Sequence, residues 1–97
     1  MAIDTWRRRI DAIDGELLRL LNERLEAVVE IGRTKADQGD SIIDPDREAA
    51  IVDRLLAANE GPMDAESVRR IFETIIAEMR RLESHYAQSG DAGSDAR

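Results

Sequence analysis

The sequence predicts an all-α protein of three helices, the first of them very long. Apolar residues recur every three to four positions in three stretches, the spacing of one helical face. No stretch shows the apolar-polar alternation of a half-buried strand. Aromatic residues are only 3% of the 97 residues, so Leu, Ile, Val and Ala must fill any core.

The first helix is expected from about Ile3 to Gln38. Its stripe runs Ile3, Trp6, Ile10, Ile13, Leu17, Leu20, Arg24, then Ala27 or Val28, and Ile31. That 3-4 spacing is the seam of a coiled-coil-like helix, and Leu18, Leu21, Leu25 and Val29 widen it. Gly15 and Gly32 each disfavour the helix by about 1 kcal/mol against Ala, so either is a possible break. Gly39 fits the residue just past the helix end. Asp44-Pro45 opens the second helix as cap and first residue, Ile51, Val52, Leu55 and Leu56 form its stripe, and Gly61-Pro62 are expected to stop it. Asp64 caps the third, whose stripe is Val68, Ile71, Phe72, Ile75, Ile76, Met79, Leu82 and Tyr86. Residues 1–87 form one helical domain on this reading, and the small polar residues 88–97 a disordered tail.

An unbroken first helix would be about 54 Å long. A compact chain of this size is roughly 32 Å across, so the apolar seam would overhang its own domain. A second copy in a symmetric homodimer is the simplest cover.

Composition excludes several functions. The absence of cysteine removes disulfides and thiolate chemistry, and His85 alone cannot build a multi-histidine metal centre. Neither a metal nor a cofactor is expected. The net charge of -7 argues against a general nucleic-acid partner. Apolar runs are too short to span a membrane and the N-terminus has no signal-peptide core, so the expected location is cytoplasmic. The basic residues are thirteen arginines and one lysine, Lys35. Arginine forks suit carboxylates, although genomic bias accounts for the excess equally well.

Four ionisable residues sit on or beside apolar stripes: Arg24, Lys35, Glu48 and Glu83. Arg24 and Lys35 are eleven residues apart, about 20° around the helix, and so point to one side. Two readings are open. Either the four pair with each other as interhelical salt bridges or specify register, or they receive a small anionic ligand, since buried charges are expensive without a partner. For a ligand, Arg24 and Lys35 donate and Glu48 accepts from a hydroxyl, with Arg47 beside it. Arg7 precedes Arg24 by about 25 Å of helix, so it could reach such a site only in a partner chain. Otherwise Arg7, Arg8 and Arg9 are a solvated basic turn.

The pattern Arg7-x-x-Ile10-x-x-Ile13-Asp14, Leu17-Leu18-x-Leu20-Leu21-x-x-Arg24, Ile31-Gly32-x-x-Lys35 and Asp44-Pro45-x-Arg47-Glu48 resembles the AroQ-type chorismate mutases. Ile71-Phe72-x-x-Ile75-Ile76 extends the likeness, which covers about residues 4–86. The resemblance implies an intertwined homodimer with two active sites, each borrowing an arginine from the other chain. It implies the Claisen rearrangement of chorismate to prephenate, for phenylalanine and tyrosine synthesis, without nucleophile, metal or cofactor. By matching position, Arg7 of one chain and Arg24 of the other would hold the two carboxylates. Lys35 would reach a carboxylate and the ether oxygen, Glu48 with the backbone near Asp44 would bind the ring hydroxyl, and Arg47 would support the carboxylate network.

Two positions depart from that pattern. Glu83 stands where many members have Gln sharing the ether oxygen, and it can donate there only when protonated. Met79 stands where Ser often contacts a carboxylate. Isochorismate pyruvate lyase is the alternative on the same fold, disfavoured because Glu48 supplies the hydroxyl-binding acid. The other alternative is a non-catalytic helical dimer bound to another shikimate-pathway enzyme.

Overall fold

A computed structural model describes residues 2–40 and 43–89, with side chains up to Tyr86. Helix α1 spans Ala2–Gln38, α2 Pro45–Ala58 and α3 Ala65–Ser89. There are no strands among the described residues. The three expected helices are all present, and neither Gly15 nor Gly32 interrupts α1. Helix α3 continues two residues past the expected domain end at 87, and residues 90–97 of the expected tail lie outside the described residues.

The local signals act as their chemistry requires. Gly39 has φ +78°, and the backbone N–H groups of Gly39 and Asp40 donate to Ala36 and Lys35, closing the end of α1. Asp44 Oδ1 accepts from the Arg47 N–H at 3.1 Å and Pro45 follows at the first helical position. Asp64 Oδ1 accepts from the Ser67 N–H at 2.7 Å, which holds that carboxylate below its usual pKa. Helix α2 ends earlier than Gly61-Pro62 would have it. Asn59 turns extended there, accepts from the Gly61 N–H and donates to the Met63 carbonyl, so its amide makes the stop.

Helix α3 packs against both α1 and α2. The apolar contacts are few: Val29, Val52, Val68, Ile76 and Met79 are buried, along with Gly32. The molecule measures 55 × 34 × 15 Å. Its long axis matches the rise of the 37 residues of α1, and its short axis is little more than one helix thick. Such a single layer has no second layer to bury its faces.

The N-terminal half of α1 shows this most plainly. Ile3, Trp6, Ile10, Ile13, Leu17, Leu18 and Leu20 are all exposed, Trp6 to 62%. The opposite faces carry exposed ion pairs one turn apart, such as Arg19 with Glu16 and Glu23, and Arg70 with Glu66. The N-terminal half of the apolar seam expected from the sequence is therefore present and uncovered within one chain. No helix among the described residues is long and apolar enough to cross a membrane, and no cluster of His, Asp and Glu among them could hold a metal ion.

Candidate active site

The C-terminal half of α1, the start of α2 and the C-terminal half of α3 enclose a half-open cavity of about 240 Å³. Arg24 and Lys35 enter from α1, Asp44, Arg47 and Glu48 from the cap and first turn of α2, and Met79, Arg80 and Glu83 from α3. Ala27, Val28, Ile31, Ile51 and Ile76 form the apolar wall. Seven of the eight site residues named from the sequence line this one cavity. The eighth, Arg7, lies on the exposed N-terminal half of α1 and is not part of the cavity wall.

None of the four stripe charges forms an ion pair with another of the four among the described residues, and two of them have other partners. Lys35 Nζ faces Asp44 Oδ2 at 3.7 Å. Asp44 thus serves twice, one oxygen capping α2 and the other tethering Lys35 in the last turn of α1. Glu48 accepts two parallel hydrogen bonds from Arg80, Nε to Oε2 and Nη2 to Oε1, each 3.0 Å. Arg24 has no acidic partner among the described residues. Burial and the like charge of Arg47 lower its pKa from the ordinary arginine value. It remains a cation all the same, held where an anion would relieve it.

Glu83 is the other of the four without an ion pair among the described residues. Burial raises its pKa, the Lys35 ammonium opposes that shift, and the Glu48 carboxylate adds to it. The protonated form is therefore favoured more than in a free glutamate side chain. Its approach to α1 depends on Gly32. A Cβ there would collide with the Glu83 carboxylate, lying 3.1 Å from Cγ and 3.2 Å from Cδ. The glycine read from sequence as a possible helix break is instead the place where the Glu83 side chain of α3 lies against α1.

Arg80 was not singled out from the sequence, although a signal existed. Ile76, Met79, Arg80 and Glu83 follow the i, i+3, i+4, i+7 spacing of one helical face. With it, four cations stand against three carboxylates around the cavity. In a chain of net charge -7 this is a locally positive pocket. Protonation of Glu83 leaves four cations against two carboxylates. Since Lys35 and Glu48 already have partners, Arg24 and Arg47 supply the uncompensated charge, which suits a small dianion with an apolar ring.

Comparison with known proteins places this geometry. Residues 6–84 match the family model described as chorismate mutase type II. The bifunctional chorismate mutase/prephenate dehydratase of Neisseria gonorrhoeae is 40% identical over 77 residues, 79% of this chain and 21% of that protein. Its counterpart in Escherichia coli K12 is 38% identical over 71 residues, 72% of this chain and 18% of that protein. The chain thus spans about a fifth of the length of these curated relatives. The solved chorismate mutase of Thermus thermophilus superposes with a TM-score of 0.84 at 37% identity, covering 87% of this chain and 96% of that one. On the extent of these matches and the three-helix architecture they share, the chain belongs to the type II chorismate mutase family.

Proposed function

We propose that this chain is a chorismate mutase, rearranging chorismate to prephenate in a homodimer whose two cavities are each completed by the partner's Arg7. The observation that carries this reading is the cavity itself: donors from three helices converge on a locally positive, apolar-walled pocket in an acidic chain. The exposed apolar row of α1 supports the dimer, and Arg7 lies on that same segment. The family supplies the substrate.

The reaction is unimolecular. The ether C–O bond breaks as a new C–C bond forms, with no proton or leaving group to handle. The protein's tasks are therefore to hold one conformer and to stabilise developing charge. Arg24 and the partner's Arg7 grip the two carboxylates and draw the enolpyruvyl arm over the ring. Arg47 reinforces that grip. Glu48 accepts from the ring hydroxyl, with the backbone at Asp44 beside it. Lys35, anchored by Asp44, donates to the ether oxygen as negative charge grows there. Protonated Glu83 donates to the same oxygen, in the place where many relatives carry Gln. Met79 contributes apolar contact where Ser often donates, so this carboxylate depends more fully on the arginines.

Incubating purified protein with chorismate at acidic and neutral pH tests the proposal by loss of chorismate absorbance and recovery of prephenate. Turnover to prephenate is expected, fastest on the acidic side. Pyruvate release from isochorismate without action on chorismate would overturn it in favour of the lyase. Inertness towards both would favour a non-catalytic dimer that binds another enzyme of the pathway.

Gly32→Ala gives a prediction in which activity and stability part company. Alanine is about 1 kcal/mol better than glycine inside a helix. The added methyl meets the flexible end of Glu83, which can swing aside without unfolding the helix pair. The variant is expected to melt no lower than wild type, yet to lose about tenfold or more in kcat because a donor is displaced. Paired melting curves and steady-state kinetics check this, and unchanged kcat would contradict the role given to Glu83.

A further inference from the structure

The paired fork from Arg80 to Glu48 joins α3 to α2, and the mutase reading gives it no contact with substrate. The two 3.0 Å bonds occupy both Glu48 oxygens from one direction. Glu48 is the more buried partner, its side chain 28% exposed against 42% for Arg80, so the guanidinium backs the carboxylate from the solvent side. Arg80, Glu48 and Ile76 also line a second cavity of about 400 Å³, with Asp53, Arg69 and Glu73.

As a structural brace this pair is weak. Partly exposed salt bridges add little to folding. Its effect on the site is larger, because Glu48 shares the cavity with Arg24, Lys35 and Arg47. A Glu48 carboxylate released from Arg80 has those three cations within the same pocket. It would turn to them and neutralise the charge that a dianionic ligand needs.

We propose that Arg80 is a positioning residue, which aims Glu48 at the substrate's ring hydroxyl and keeps it off the anion-binding cations. The proposal rests on the mutase reading above. Arg80 touches no substrate atom and acts only through Glu48. The hydroxyl and carboxylate contacts it protects exist before and during bond reorganisation alike, so its loss falls on KM and not on kcat.

The test compares wild type, Arg80→Met and Arg80→Lys, each alone and with Glu48→Gln, using chorismate as substrate. Arg80→Met keeps much of the aliphatic stem and is expected to raise KM about tenfold with kcat changed by less than about twofold. Its melting temperature should stay close to wild type. Arg80→Lys, with a point charge and no fork, should recover part of the loss. In the Glu48→Gln background, Arg80→Met should add nothing, since the group it aims is gone. An unchanged KM in Arg80→Met, or an equal KM rise with and without Glu48, would overturn the positioning role while wild-type turnover leaves the mutase reading intact. A wild-type chain inert towards chorismate would overturn both.

Discussion

Lys35→Ala is expected to lower kcat/KM by about 10²–10³-fold, with most of the loss in kcat. Lys35 sits in the last turn of α1, with its ammonium 3.7 Å from Asp44 and the apolar wall of Ile31 and Val28 nearby. A donor held in that setting needs no reorganisation when charge develops on the ether oxygen, and the dry wall leaves little water to compete with it. Alanine removes the donor and leaves Asp44 capping α2, so the fold should survive. Arg24→Ala is expected to lose a comparable factor but to raise KM as well, because its guanidinium binds a carboxylate present from the start. Steady-state kinetics separates the two patterns. A Lys35→Ala variant impaired only in KM would show that Lys35 binds substrate without stabilising the transition state.

Glu83→Gln is expected to change the shape of the pH profile. Burial raises the Glu83 pKa, Lys35 opposes it and Glu48 adds to it, with a net upward shift. The donor form therefore persists to higher pH than in a free glutamate side chain and is lost as pH rises through the elevated value. Above that point kcat/KM of wild type should fall about tenfold per pH unit, whereas Gln donates at every pH and its curve should stay flat. The variant overtakes wild type on the alkaline side by about tenfold or more. Stability follows the same sign. A carboxyl with a raised folded pKa contributes fully below its unfolded pKa, and that contribution disappears as pH rises through the folded one. Wild type should thus lose stability relative to Glu83→Gln over that window. Parallel pH profiles for both proteins would contradict the donor role of Glu83.

Much of this was legible in the sequence because the signals are local. Asp44-Pro45, Asp64 and Gly39 each act within one helical turn, and the structure shows each capping the element it was expected to cap. The ionisable residues on apolar stripes were legible for a different reason: a charge at a buried spacing demands a partner, and Arg24, Lys35, Glu48 and Glu83 do share one cavity. What sequence could not supply was pairing across elements. Arg80 and Arg81 are adjacent and alike in sequence, yet Arg81 turns to the exposed Glu78 while Arg80 crosses to α2. Only the relative placement of α2 and α3 separates their roles. The end of α2 was misplaced because an asparagine amide made the stop ahead of the stronger Gly-Pro signal. Gly32 was misread for the same physical reason as Arg80, since its use depends on a distant stretch of the chain, the helix that carries Glu83.

The dimer is the claim on which the whole site depends, because Arg7 and Arg24 are separated by about 25 Å of one straight helix. Its most direct test is complementation between two inactive variants, Arg7→Ala and Arg24→Ala, unfolded together and refolded as a mixture. Each alone should be nearly inert towards chorismate. In a mixed dimer, the cavity that pairs intact Arg7 from one chain with intact Arg24 from the other is whole, and its sister cavity lacks both. Random assembly should then restore about a quarter of the wild-type turnover. Recovery near that level, absent when either variant is refolded alone, is the result this account predicts. No recovery in the mixture, or full activity in Arg7→Ala by itself, would contradict it.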